Sequence, residues 1–255
     1  MILYMANGRI SIDRILSRLD EFLHKNDYSS AERHLLYWLS EATNNKDTHT
    51  ELFVRNELMG LYRKLSRERE ALECAGAALA TIERENISHQ VGAATTFLNA
   101  ATVYKAFGRA EESLPLFVRA TEVYEKELEP NDGRLGGLYN NMALTLVDLG
   151  RFDEANELYE KAVEVMKRTQ NGALEVAITY LNMASAAERE MGLLVADERI
   201  QELLDVAEEL IDRHEPKDGY YAFVCEKCAS VFGYYGRFVF DAELRERARR
   251  IYEGT

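Results

Sequence analysis

The stretch YNNMALTLVDLGRFDEANELYEKA, residues 139–162, decides the fold, because it describes two amphipathic helices joined by a glycine turn. Its first half repeats large and small apolar residues at i, i+3, i+4 and i+7, which is one face of an α-helix. These residues are Tyr139, Met142, Ala143 and Leu146. Gly150 follows where that helix must end, and glycine readily adopts the positive φ that turns the chain back.

The second half of the stretch predicts a partner helix. Asp153 and Glu154 would lie in its first turn, where carboxylates complement the helix dipole. Ala155, Tyr159 and Ala162 then give a small–large–small face. We therefore expect two helices that pack closely against each other.

The same pattern recurs along the chain. The phrases FLNAATVY, YNNMALTL and YLNMASAA begin at residues 97, 139 and 180. A short break follows each phrase, and an acidic amphipathic segment follows each break. A period of about 42 residues is typical of a repeat protein built from helix pairs.

These residues resemble the tetratricopeptide repeat, whose second helix reads Ala-x3-aromatic-x2-Ala after a glycine turn. The period is longer than the usual one of about 34 residues, and it resembles the long-helix repeats of kinesin light chains and their bacterial relatives. Tyr139-Asn-Asn-Met-Ala143 resembles the Leu-Asn-Asn-Leu-Ala of that family, and Glu112-Ser-Leu-Pro-Leu-Phe-Val-Arg-Ala120 resembles its Glu-Ala-Glu-Pro-Leu-Tyr-x-Arg-Ala. HEAT and armadillo repeats have a similar period but do not predict this glycine turn.

Weaker matches extend the pattern in both directions, so we predict an all-α superhelical solenoid of about six repeats. The repeats would form one domain, 1–255, and lie near residues 9–46, 48–87, 90–130, 133–171, 174–215 and 218–253. In the fifth repeat we expect a longer turn after Gly192. Ile200, Leu204 and Ala207 would then be the buried positions of its second helix.

Composition narrows the class of function. The 255 residues include only three prolines, which argues against turn-rich β folds. The net charge of −13 argues against nucleic acid and anionic membranes as partners. No apolar run reaches the roughly 18 residues of a membrane span. Three cysteines do not make a disulfide framework, so we expect a cytoplasmic protein.

No motif in the sequence nominates an enzyme. Cys225 and Cys228 form the only C-x-x-C, but no second pair completes a zinc site, and both sulfurs fall on the packing face of a predicted helix. The five histidines are scattered, and no phosphate-binding loop or nucleophile elbow occurs. We therefore predict no catalytic residues, no metal and no cofactor.

Three asparagines hold the same place in successive repeats, namely Asn99, Asn141 and Asn182. Asparagine is a mediocre helix former, so its repetition inside helices asks for a reason. Resemblance to kinesin-light-chain-like repeats implies that these positions line the concave groove and bind the backbone of an extended peptide. The alternative is that they bridge neighbouring helices inside the stack.

The same face continues at i+3 and i+7 from each asparagine. It adds Thr102, Leu144 and Ser185 at i+3 and Ala106, Asp148 and Arg189 at i+7, with Lys105 beside Ala106. Co-chaperone repeats that bind a terminal carboxylate would need several cations here, and Lys105 and Arg189 alone do not supply them. We therefore predict that the partner is an internal or extended segment of a protein or peptide.

Two other functions stay open at this stage. The protein could be a self-associating scaffold, a homo-oligomer held by its end repeats, by its convex face or by the apolar stretch Ile2-Leu-Tyr-Met5. It could also be a peptide-sensing regulatory module. Only about 25 residues precede the first turn, too few for a DNA-binding helix-turn-helix, so we expect such a module to act through a partner.

Overall fold

A computed structural model describes residues 5–6, 9–169 and 172–254 of the protein. Within these ranges the chain forms twelve α-helices and one short antiparallel pair of strands. It divides into two compact units, residues 1–127 and 128–255. None of the helices in the described ranges has the length and apolarity to cross a bilayer.

The first unit contains both strands and six helices. The strands are β1 (Met5–Ala6) and β2 (Arg9–Ile10). The helices are α1 (Ile12–His24), α2 (Tyr28–Asn44), α3 (Thr48–Lys64), α4 (Glu68–Arg84), α5 (Val91–Ala106) and α6 (Ala110–Glu127). Residues 2–4 of the apolar N-terminal stretch lie outside the described residues.

The second unit contains the other six helices. They are α7 (Gly133–Asp148), α8 (Phe152–Met166), α9 (Gly172–Met191), α10 (Leu193–Asp212), α11 (Gly219–Tyr234) and α12 (Phe238–Glu253). Each odd-numbered helix packs on the helix that follows it. In addition, α9 contacts both α7 and α11.

The turns inside the helix pairs use left-handed backbone. Gly108, Gly150 and Gly236 have φ of 74°, 71° and 86°, which costs glycine nothing because it has no Cβ. The first two pairs place Asn26 and Ser66 in this conformation instead, at φ of 53° and 54°. Side chains of L residues are disfavoured there, and asparagine is among the better tolerated.

The fifth pair corrects one expectation. We expected a longer turn after Gly192, but α10 begins at the next residue, Leu193. Gly192 alone reverses the chain, with φ of 81°, and the extra length of this repeat lies in helices of 20 residues each. Ala196 is therefore the first buried position of α10, and the expected positions are buried as well. Those are Ile200, Leu204 and Ala207.

Among the described residues, an aspartate directly precedes four helices and caps their first backbone N–H groups. Asp27 accepts from Ser30 N, Asp47 from Thr50 N and Asp132 from Arg134 N, while Asp218 accepts from two N–H groups of α11. Three of these caps open the first helix of a pair. They fix where α3, α7 and α11 start.

The interior of the α7–α8 pair follows the predicted face. Ala143, Ala155, Tyr159 and Ala162 are fully buried. At Gly136 the helices come so close that an added Cβ would lie 2.7 Å from Met166 Cγ. Small residues therefore set the spacing of the two helices. The prediction of an all-α fold of paired helices is confirmed.

One polar atom of this interior lacks a partner. The Tyr159 hydroxyl is buried and makes no hydrogen bond within the described residues. The corresponding residue one repeat earlier is Phe117, which is fully buried and has no hydroxyl. Burial raises the pKa of Tyr159, so the hydroxyl stays protonated at neutral pH.

Candidate functional site

The repeated asparagines lie on the first helices of three repeats, and each is half-buried. Asn141 Nδ2 donates to the Gly137 carbonyl one turn earlier in α7, at 2.8 Å. Asn182 Nδ2 on α9 instead reaches α7 and donates to Asn140 Oδ1 at 3.0 Å. Asn99, on α5 of the first unit, makes no hydrogen bond through its side chain within the described residues. The repeated position therefore has three different surroundings.

The predicted charged residues of the second unit pair with each other. Arg189 Nη1 on α9 lies 2.5 Å from Asp148 Oδ1 at the end of α7. Both groups remain partly exposed, so their attraction is screened by water and contributes little to stability. The pair does, however, neutralise the two charges that this part of the face would otherwise offer a ligand.

Two predicted hydroxyl residues bond to their own helices. Thr102 Oγ1 donates to the Leu98 carbonyl at 2.8 Å, and Ser185 Oγ donates to the Leu181 carbonyl at 3.2 Å. Such i−4 bonds are common for Ser and Thr inside helices. Leu144 is half-buried on α7, and Lys105 is half-buried in the last turn of α5.

Tyrosines on α11 bond to the opposite flank of α9, which sequence reasoning missed. Glu188 accepts from Tyr234 Oη and Tyr235 Oη, each at 2.7 Å. Tyr220 Oη donates to Glu175 near the start of the helix. Burial and the Glu188 carboxylate raise the pKa of Tyr235 to about 12, so it remains a donor at neutral pH. Polar side chains thus join α9 to both of its neighbours.

The α11 residues extend the predicted face by one helix. Tyr220, Phe223, Lys227 and Tyr234 fall at i, i+3, i+7 and i+14, one helical stripe. Phe223 is 51 % exposed, and its ring stacks on Tyr220 with 6.2 Å between centroids. We call the exposed and half-buried side chains of this stripe, with those of α7 and α9, the first-helix face. Its members are Asn141, Leu144, Asp148, Asn182, Ser185, Arg189, Tyr220, Phe223, Lys227 and Tyr234.

The first unit has a separate cavity of about 400 Å³ at the starts of α3 and α5. Leu52, Phe53 and Ile87 form much of its wall. Asn56 also borders it and donates to Thr96 Oγ1 at 3.1 Å, while its buried Oδ1 accepts no hydrogen bond within the described residues. This cavity could hold an apolar group that carries one donor. It depends on contacts between distant residues, so no local sequence signal indicates it.

The two cysteines of α11 are unsuited to nucleophilic or redox chemistry. Cys225 and Cys228 are free thiols on the buried side of α11. Burial raises the pKa of both thiols, that of Cys228 to about 12, so little thiolate forms at neutral pH. Across the described ranges, no group of three or more His, Cys, Asp and Glu side chains could hold a metal ion.

Comparison with known proteins identifies the repeats. Two profiles of the tetratricopeptide-repeat family match the sequence, one over residues 93–132 and the other over residues 134–209. No curated protein matches the chain.

Two solved structures share the fold. The kinesin light chain nearly identical TPR-like repeats of Podosopora anserina align over 78 % of this chain and 94 % of theirs, with 18 % identity and a TM-score of 0.54. BtubC (BKLC) from P. vanneervenii aligns over 91 % of each chain, with 19 % identity and a TM-score of 0.59. Residues 93–132 and 134–209 are therefore tetratricopeptide repeats, and the paired helices and glycine turns of the chain share the fold of the kinesin-light-chain repeats.

Proposed function

We propose that this protein binds other proteins by holding an extended peptide segment against the first-helix face. Tetratricopeptide repeats generally mediate protein–protein interactions and are typically non-enzymatic, which supports a binding role over a catalytic one. The acidic charge of the chain and its three free thiols favour a protein partner in the cytoplasm over nucleic acid or a membrane surface.

The hydrogen bonding of two asparagines carries the proposal. Asn141 and Asn182 are each fixed by a bond from Nδ2, to Gly137 and Asn140 respectively. Neither Oδ1 accepts a hydrogen bond within the described residues. Each side chain is therefore held in place while its acceptor is left for a ligand. A fixed side chain loses little entropy when a ligand binds.

The chemistry of this face suits a peptide backbone. An extended peptide presents N–H donors at regular intervals, and the amide oxygens of Asn141 and Asn182 can accept them without reading the ligand's side chains. Because Asp148 and Arg189 neutralise each other, Lys227 is the exposed cation left among the members of this face, and one cation does not make the clamp that a terminal carboxylate needs. Leu144 and Phe223 supply apolar contacts beside the asparagines. The proposed ligand is thus an internal segment with apolar side chains.

The experiment begins with a displayed library of random peptides selected on the full 255-residue chain. Selected peptides are synthesised, and their affinities are measured by fluorescence anisotropy. We expect Asn141→Ala with Asn182→Ala to weaken binding about thirtyfold, since each neutral hydrogen bond contributes roughly 1 kcal/mol. Methylation of single backbone nitrogens in the peptide should weaken binding at two or more positions. Asn156→Ala, a half-buried asparagine on α8, is the matched control.

A structural effect is separated from a binding effect by Asn140→Leu. This change removes the bond partner of Asn182 but keeps the Asn182 amide itself. Because Asn182 is then less firmly held but keeps its acceptor, peptide binding should weaken by no more than about threefold. If the double asparagine variant binds selected peptides as well as the original chain does, the proposal is wrong. Asn99→Ala is measured separately, because Asn99 holds the same repeat position in the first unit.

A further inference from the structure

The turns of the last two repeats expose large apolar side chains. In the fifth repeat, Leu194 is 94 % exposed and Val195 is 74 % exposed. In the sixth repeat, Phe238 is 72 % exposed and Val239 is 76 % exposed. With their exposed neighbours they form what we call the turn patch. Its members are Met191, Leu193, Leu194, Val195, Tyr234, Phe238 and Val239.

The other repeats show which residues occupy the equivalent positions of their second helices. The second position of the second helix is a charged, exposed residue in three repeats, namely Arg69 in the second, Glu111 in the third and Asp153 in the fourth. Carboxylates at these positions are solvated and complement the helix dipole. At the same position the fifth and sixth repeats have the exposed apolar residues Leu194 and Val239 instead. Apolar residues at this position are poorly solvated and do not interact with the helix dipole. They therefore do not stabilise the folded chain, and another role must explain them.

The two turns lie at the same edge of the second unit. Glu188, one turn before the end of α9, accepts hydrogen bonds from Tyr234 and Tyr235 at the end of α11. The seven side chains together expose on the order of 900 Å², similar to what each partner contributes to a stable interface. The largest apolar patch on a typical monomer is roughly 300–600 Å².

We propose that the turn patch binds a second copy of this chain. One half of the patch is aliphatic, and the other is largely aromatic. A two-fold axis would bring the aliphatic turn of each copy against the aromatic turn of the other, so that a single symmetric contact covers both halves. A contact of this size agrees with the area of each partner in a stable dimer.

The charge of the chain predicts how this dimer responds to salt. Each copy carries a net charge of −13, and Glu190, Asp197 and Glu198 are exposed around the aliphatic turn. Salt screens the repulsion between two acidic copies and leaves the apolar contact in place. The dissociation constant should therefore fall as NaCl rises from about 0.05 to about 0.5 M. A dissociation constant that rises over this range would mean that ion pairs hold the copies, contrary to the proposal.

Sedimentation velocity of the full chain, up to about 100 μM, tests the association itself. We expect a dimer, and we expect Leu194→Glu or Val239→Glu to weaken it at least tenfold while the helical melt stays unchanged. Leu36→Glu is the matched control, because Leu36 is an exposed aliphatic residue on α2 outside the patch. A monomer at every concentration, or a dimer that survives both patch variants, would overturn the proposal.

Cross-linking tests the pairing of the two turns. Leu194→Cys chains are mixed with Phe238→Cys chains under mild oxidation, and the native cysteines are buried. We expect the mixed disulfide to form faster than either homodimeric disulfide. Preferential formation of the homodimeric disulfides would refute the aliphatic-to-aromatic arrangement.

Discussion

Replacing Asn182 with Ala removes the hydrogen bond that Asn140 accepts, and we expect the second unit to lose about 1–2 kcal/mol of unfolding free energy. The size of this loss in unfolding free energy follows from the burial of Asn140, which is only 8 % exposed. Water therefore has little access to the oxygen once its donor is gone. An unpaired buried acceptor costs more than the net value of the bond itself.

The reverse replacement should have a smaller effect. Asn140→Leu removes the acceptor, but the half-buried amide of Asn182 can still bond to water. Leucine already occupies the matching position in the neighbouring repeats, as Leu98 and Leu181. We expect a change within about 0.5 kcal/mol, and a double variant more stable than Asn182→Ala alone. The resulting coupling energy should be about 1 kcal/mol.

Urea denaturation followed by far-UV circular dichroism measures all three variants, and hydrogen exchange locates the loss in α7 and α9. The single tryptophan, Trp38, lies in α2 of the first unit, so its fluorescence serves as an internal control. Its transition should not move. If Asn182→Ala leaves the urea midpoint unchanged, or if the two replacements are additive, the bond has no structural role.

Three further predictions concern packing and burial, and together they use four substitutions. Gly136→Ala should lower the melting temperature, because its Cβ would lie 2.7 Å from a side-chain atom of α8, whereas Gly137→Ala meets nothing within 4 Å and should gain about 1 kcal/mol. Differential scanning calorimetry of these two glycine variants tests both expectations. Burial raises the pKa of Glu57, so the folded state disfavours its charged form and loses stability as pH rises through that pKa. Glu57→Gln should therefore raise the melting temperature at pH 7 but not below about pH 4, and an equal gain at both would exclude this cause. Tyr159→Phe removes an unpaired buried hydroxyl and should gain about 1 kcal/mol in urea titrations, while a loss would show that bound water satisfies that group.

Sequence patterns predicted the paired helices because each pair is specified locally. The stripe from Tyr139 to Leu146, the turn at Gly150 and the small residues of α8 all act within one repeat. The prediction of a longer turn in the fifth repeat was wrong because the actual turn leaves no local signal in the sequence. Gly192 is both the end of one helix and the N-cap of the next, and no break in the apolar pattern marks such a turn.

The first-helix face was only partly predictable. The period places Asn99, Asn141 and Asn182 at one repeat position, but their bonds depend on how far apart neighbouring helices lie. Comparison across repeats would have suggested the Arg189–Asp148 pair, since opposite charges 41 residues apart are separated by one period. The extension onto α11 was missed because its tyrosines do not repeat the asparagine pattern.

The bonds that join α9 to its neighbours span only 41 to 47 residues of sequence. A ribosome therefore needs to release little more than one repeat before each new helix pair finds the surface on which it packs. Low sequence separation favours fast folding, and each completed pair offers a template for the next. The chain can thus fold stepwise as it is synthesised from the N-terminus. Few apolar helix faces then stay exposed to water for long before a neighbouring helix packs on them.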